Sequence, residues 1–392
     1  MSWPSIISRR LTSKQQRIHV IAGLLSLLPP SILSAAGLPL LYDGCTLRVP
    51  ASVYDKSALL IFDTGSSVSA LDKNTYNPQL GKPIAEARVS SITGLTKLEF
   101  YRSPEILLGK LTEHFGRIAA MDLHRIKAIS GSECDGVLGA DFAREHVISI
   151  DFDQRLFDVD DVHESNEVSA EAVSLPLKTL GNGNFGIDAV LDGVTVTFMI
   201  DTGDNGSISL NPEDWRRLLA AHPGTVVHTI LAASVSGPPV QTSGTRVSDL
   251  TVGPNHYSGF IATAIHNPLS PSTLGLRFLR QHVVSFDIPH GTLLLRRGYT
   301  FGEREKFDMS GIHLIRTDET TTVFAVDEGS PASEANIKPG DVVDEVDGIS
   351  AAALTMREIR RALKRQDGSL VRLKVRRGSQ NSERTLHLRT ML

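Results

Sequence analysis

Through most of the chain, short runs of alternating apolar and polar residues are separated by Gly, Pro, Asn and Asp. Thr46 to Val49, Lys97 to Tyr101 and Val147 to Phe152 read this way and predict strands joined by hairpins. One run breaks the alternation. Leu59-Leu60-Ile61-Phe62 is wholly apolar and ends at Asp63-Thr64-Gly65-Ser66. It predicts a strand buried on both faces that delivers a carboxylate to the rim of a core. A carboxylate there is costly unless hydrogen bonds receive it. The pattern recurs at Phe198-Met199-Ile200, followed by Asp201-Thr202-Gly203. A short helix is expected at Pro212–Leu219, with acids in its first turn.

The recurrence extends along the chain. Ser91-Ile92-Thr93-Gly94-Leu95 is followed later by Ala233-Ser234-Val235-Ser236-Gly237, and Glu105 to Gly109 by Asp249 to Gly253. Gly136 to Phe142 matches Ser272 to Phe278, and His146 to Asp151 matches His282 to Asp287. The spacing between copies stays between 136 and 144 residues, and order is kept. The middle of the chain is therefore a tandem repeat of one β-rich unit, with insertions confined to loops. From about Phe307 the texture changes. Alternating valines lead to Asp347-Gly348, a tight-turn signal. Thr355-Met356-Arg357-Glu358 is a capping box opening a helix whose stripe is Met356, Ile359, Ala362 and Leu363 and which stops at Gly368. Leu370 to Val375 alternates as a closing strand.

Composition narrows the class. A chain of 392 residues accommodates two or three domains, and 32 glycines fit many turns. The net charge of −4 gives no pull towards nucleic acid. The basic residues around Arg357 to Arg365 lack interleaved aromatics, so they read as a solvated face. Residues 1–17 are basic without acids, Val20 to Leu28 is apolar, and Ser34-Ala35-Ala36 is small. That is the three-part layout of a secretory signal peptide, or of an uncleaved N-terminal anchor on the membrane. The expected location is periplasmic or secreted, the alternative being membrane-anchored outside the cytoplasm. Cys45 and Cys134 either pair in an oxidising compartment or are separate core residues. No histidine motif or cysteine cluster suggests a metal, and no cofactor is called for.

Two carboxylates brought together by a pseudo-two-fold cannot both ionise cheaply, so they hold one shared proton. Such a pair is both a general acid and a general base. The residues carrying it resemble the two-lobed aspartic peptidases, related to pepsin and the retroviral enzymes. The crossing segments Val137-Leu138-Gly139 and Thr273-Leu274-Gly275 add to the resemblance. It implies a mainly β fold of two lobes with a polypeptide substrate in the cleft between them, and Asp63 and Asp201 as the catalytic pair. Thr64, Gly65, Ser66, Thr202 and Gly203 would support the loops, and Thr93, Gly94 and Leu95 would form the flap. The second loop departs from the family pattern, with Asp204 in the place of Ser66. Turned inward, Asp204 would raise the pair's proton affinity; turned outward, it is surface.

Ser330-Pro331-Ala332, Lys338-Pro339-Gly340-Asp341 and Asp347-Gly348 resemble a PDZ domain of the kind appended to bacterial envelope proteases. The resemblance implies binding of a peptide or protein C-terminus at Ser310, Gly311, Ile312 and Leu314. The expected layout is a signal or anchor at 1–36, one lobe at 40–159 and a linker at 160–172. A second lobe follows at 173–297 and the PDZ domain at 308–390. The expected activity is an exported aspartic endopeptidase. The alternatives are a catalytically degenerate PDZ adaptor that binds peptide and, more distantly, action on a non-protein amide.

Overall fold

The computed structural model describes residues 37–91, 94–160, 171–234 and 237–392. The expected N-terminal signal or anchor, most of the linker at 160–172, Thr93 of the expected flap and Ser236 of its counterpart lie outside these residues.

The apolar run before Asp63 lies in the strand Lys56–Phe62, whose end is buried. Its counterpart before Asp201 is Val194–Ile200. Each sits inside a ten-stranded sheet, and the two sheets have the same strand order. In the first, Lys56–Phe62 lies between the hairpin strand Leu47–Val53 and the parallel strand Gly136–Leu138. In the second, Val194–Ile200 lies between Phe185–Leu191 and the parallel strand Ser272–Leu274. The repeat in the sequence is thus a repeat in topology.

A six-stranded sheet joins the two units. Its centre is the antiparallel pair Val147–Asp151 and His282–Asp287, registered so that Ser149 faces Ser285. These serines are repeat equivalents, and their hydroxyls meet at 2.8 Å, which marks the local two-fold. Phe62, Phe157, Phe198 and Phe286 are fully buried in the core that spans both units. Each such side chain contributes about 1.5–3 kcal/mol by leaving water. The recurring histidines make matching clamps: His146 Nε2 meets Glu113 Oε2 at 2.8 Å, and His282 Nε2 meets the Tyr257 hydroxyl at 2.9 Å.

The C-terminal domain is a separate sheet in the order Ile312–Thr317, Thr320–Val326, Val342–Val346, Leu370–Arg377, Gln380–His387. It has its own core, which takes in Met356, Ile359, Ala362 and Leu363. The helix Met356–Leu363 opens on the expected capping box of Thr355 and Glu358, but it ends at Lys364 rather than running on to Gly368. The other expected helix is longer than its pattern, Pro212–Ala221, capped by the Asn211 side chain. The described residues from Leu38 to Leu392 form one compact unit. Among the described residues no helix is long and apolar enough to cross a membrane.

Candidate functional site

The parallel neighbour of each central strand fixes the aspartate that follows it. Asp63 N donates to Leu138 O at 2.9 Å, and Asp201 N donates to Leu274 O at 3.0 Å. Each loop then folds its own amides onto the carboxylate. Gly65 N and Ser66 N donate to Asp63 Oδ1 at 2.9 and 3.1 Å. Gly203 N and Asp204 N donate to Asp201 Oδ1 at 2.8 and 3.1 Å.

The threonines bind the loops to one another. Thr64 N donates to Thr202 Oγ1 at 2.9 Å and Thr202 N to Thr64 Oγ1 at 3.1 Å. The hydroxyls in turn donate across the two-fold, Thr64 Oγ1 to Ile200 O at 2.7 Å and Thr202 Oγ1 to Phe62 O at 2.8 Å. Both threonines are buried. Every donor and acceptor in this interlock is therefore matched away from water, and losing one leaves its partner unsatisfied.

This interlock sets Asp63 and Asp201 together. A Cβ on Gly65 would overlap the Asp201 carboxylate, and one on Gly203 would overlap that of Asp63. Only glycine allows so close an approach. Burial holds both carboxyls above the usual range, against the opposing effect of the loop amides. For Asp201 the Asp63 charge, and then that of Asp204, add to the rise. Such an arrangement favours one proton held between two oxygens, giving one and taking one at the same place.

Around this symmetric centre the supports differ. In the first loop, Ser66 Oγ turns away to donate to Val68 O at 2.8 Å, so Ser66 serves Asp63 through its backbone amide. In the second, Asp204 turns into its own unit. It accepts from Gly206 N at 2.7 Å and from the hydroxyls of Ser209 and Thr273 at 2.7 and 2.5 Å. The polar residue in Thr273-Leu274-Gly275 is thereby explained, since it solvates the acid that replaces Ser66. Further out, Asp141 accepts from Ser69 N and Ser69 Oγ at 2.8 and 2.7 Å. Its repeat equivalent is Arg277, and the missing carboxylate comes from Glu305, in the connector to the C-terminal domain. Glu305 accepts from Ser207 Oγ at 2.6 Å and Ile261 N at 2.9 Å, and pairs with Arg277.

Two further supports were not anticipated. Buried Asn184 donates through Nδ2 to Thr64 O and Gly65 O at 2.7 and 2.6 Å, gripping the first loop from the second unit. Near the matching place in the first unit, one residue before Thr46, Cys45 Sγ receives Asn205 Nδ2 at 3.3 Å. The only sequence signal for Asn184 is its position just before the second unit's strand Phe185–Leu191; Glu305 lies beyond the repeat and had none. Cys45 and Cys134 are both free thiols, which removes the disulfide alternative. No group of residues suited to a metal occurs among the described residues.

Of the expected flap, Gly94 and Leu95 begin the strand Gly94–Tyr101, which returns along Ala85–Ser91. In the C-terminal domain Ser310 is fully buried, and Gly311 follows it at the head of the edge strand Ile312–Thr317. Ile312 and Leu314 both face that domain's core. Asp308 Oδ1 accepts from Ser310 N, Ser310 Oγ and Gly311 N at 2.8, 2.6 and 2.6 Å.

Comparison with known proteins matches residues 322–377 to the PDZ domain family. A protein of Staphylococcus haemolyticus (strain JCSC1435) named "Probable CtpA-like serine protease" is 31% identical over 86 residues, 21% of this chain. The chain matches only 17% of that relative's length. The chain thus carries a PDZ domain. The expected class of activity is corrected by this finding. The relative is named as serine-type, so an aspartic-type endopeptidase is not the assignment that the comparisons support. Among the described hydroxyls around the carboxylate pair, Ser66 donates to a carbonyl, and Ser69, Ser207 and Ser209 donate to carboxylates.

Proposed function

We propose that the protein works in proteolysis as a polypeptide-binding protein, in which the PDZ domain takes a polypeptide by its C-terminus. The observation that carries this is the PDZ match, together with the edge strand Ile312–Thr317, which pairs within its sheet only with Thr320–Val326. An edge strand offers unpaired backbone groups to an added strand, the means by which such domains bind peptide.

The two repeated β units are, in this reading, duplicated lobes of the aspartic-peptidase type of fold. Support comes from their shared strand order and the reciprocal threonine interlock. Asp63 and Asp201 form there one proton-sharing acid–base pair. Export from the cytoplasm belongs to the same proposal and rests on the basic, apolar and small-residue order of residues 1–36.

The test is photo-cross-linking of the full chain with a benzophenone-bearing peptide that ends in a free carboxylate. At saturating peptide, cross-links are expected on Ile312–Thr317 and Met356–Leu363, and the C-terminal amide of the same peptide should give few. Equal labelling by acid and amide, or labelling confined to other surfaces, overturns the reading.

A further inference from the structure

The edge strand of the PDZ domain is not bare. The helix His124–Ser130, from the first β unit, packs against Ile312–Thr317. On the opposite wall, Arg360 of the helix Met356–Leu363 donates through Nη2 to Ile129 O and through Nη1, at 3.5 Å, to Ser130 O. Both are carbonyls at the C-terminal end of the short helix, where helical partners have run out and partial negative charge collects. The helix closes on Gly131, in the left-handed region at φ 69°. A Cβ on Gly131 would overlap the Met356 side chain, so the chain leaves the helix in direct contact with the PDZ helix.

The loop before the edge strand is also engaged. Two of its amides, Ser310 N and Gly311 N, donate to the Asp308 carboxylate, and Ile312 N donates to Ser310 Oγ at 3.2 Å. A terminal carboxylate captured by such a loop would need N–H donors that these side chains already hold.

We propose that the PDZ groove carries an internal ligand, the carbonyl end of the helix His124–Ser130, with Asp308 standing in for a ligand's carboxylate. The proposal rests on the reading of this domain as a C-terminus binder and adds what covers its site. An incoming C-terminus must displace the internal ligand. Its apparent affinity is therefore reduced by the fraction of molecules in which the groove is open. Because the covering helix belongs to the first β unit, peptide capture and the docking of the PDZ domain on that unit exclude one another.

Two substitutions test this in the full chain. Gly131→Ala forces the contact with Met356 apart, and Arg360→Met removes the grip on Ile129 and Ser130 without straining any backbone. The probe is a fluorescein-labelled octapeptide ending in Ala-Leu-Val with a free carboxylate, measured by anisotropy against its C-terminal amide. Gly131→Ala is expected to bind the acid form at least tenfold more tightly than the unsubstituted chain, and Arg360→Met at least threefold. If circular dichroism shows Gly131→Ala unfolded, Arg360→Met carries the test alone. Binding of the acid form with unchanged affinity in the folded variants would mean that the groove is open, and the inference falls while the PDZ reading stands. No preference for acid over amide in any of the proteins removes the PDZ reading, and the inference with it.

Discussion

The two β units begin alike and diverge with distance from the aspartates. Next to the carboxylates they match bond for bond: two loop amides on one oxygen, one strand carbonyl on the backbone, one threonine across the two-fold. One shell out, Ser66 and Val137 face a chemically different pair, Asp204 and Thr273. Further out, the first unit supplies its own carboxylate, Asp141, while the second borrows Glu305 from the connector. Geometry that both aspartates need at once is held symmetric. Supports that touch one loop alone differ between the units, and most of their buried polar groups find a partner, Asn184 Oδ1 being an exception.

The borrowed carboxylate gives the largest expected asymmetry. Glu305→Ala leaves Arg277, Ser207 and Ile261 N without their acceptor, and removing one partner of a buried pair costs about 3 kcal/mol or more. Asp141→Ala strands three neutral donors, Ser69 N, Ser69 Oγ and Phe142 N, and no cation, so about 2 kcal/mol is expected. Urea denaturation of both variants measures the difference, and equal losses would break the comparison.

At the centre the comparison predicts equality. Thr64→Val and Thr202→Val each remove an acceptor for the partner's amide and a donor to a strand carbonyl, at about 2 kcal/mol apiece. Because the two side chains form one network, the double variant should lose less than the sum of the single losses. Strict additivity would show that the threonines act separately.

The strand that delivers Asp63 was legible from four apolar residues and a turn signal, and so was the second copy. Local pattern specifies a buried strand, and a repeat doubles the signal. The helix Met356–Leu363 was legible for the same reason, through its stripe and capping box. Asn184 and Glu305 were not, because each acts on a loop far away in sequence and neither belongs to a periodic pattern. The direction of Asp204 was open in the sequence for a related reason: only the fold brings Ser209 and Thr273 to its carboxylate. The contact of the helix His124–Ser130 with Ile312–Thr317 and Arg360 joins segments far apart in sequence, which no local pattern announces.

A smaller effect follows from pH. Carboxyls whose folded affinity for protons exceeds the unfolded value bind more protons in the folded state, so stability falls as pH rises through that window. Asp201→Asn removes this cost and should raise the melting temperature by a few degrees at pH 7. Near pH 3, where both states hold the proton, the gain should vanish. A variant less stable than the parent at pH 7 would contradict the sign.

The smallest expected change is a conversion of one unit into the other. Asp204→Ser with Thr273→Val gives the second loop the residues of the first and removes a charge that raises the Asp201 proton affinity. Stability should move by less than about 1.5 kcal/mol, as for a polar pair replaced together. The proton affinity of the pair should fall.

Asp63 and Asp201, held together by the threonine interlock, should titrate as one unit. Carboxyl carbon NMR of the protein labelled at aspartate, followed from pH 3 to pH 8, reads this directly. The predicted result is a coupled pair of signals from Asp63 and Asp201, with one proton retained well above the ordinary carboxylate range and lost from the pattern in Asp63→Asn. Two independent titrations near the usual aspartate value, each unmoved by substitution of the other, would contradict it.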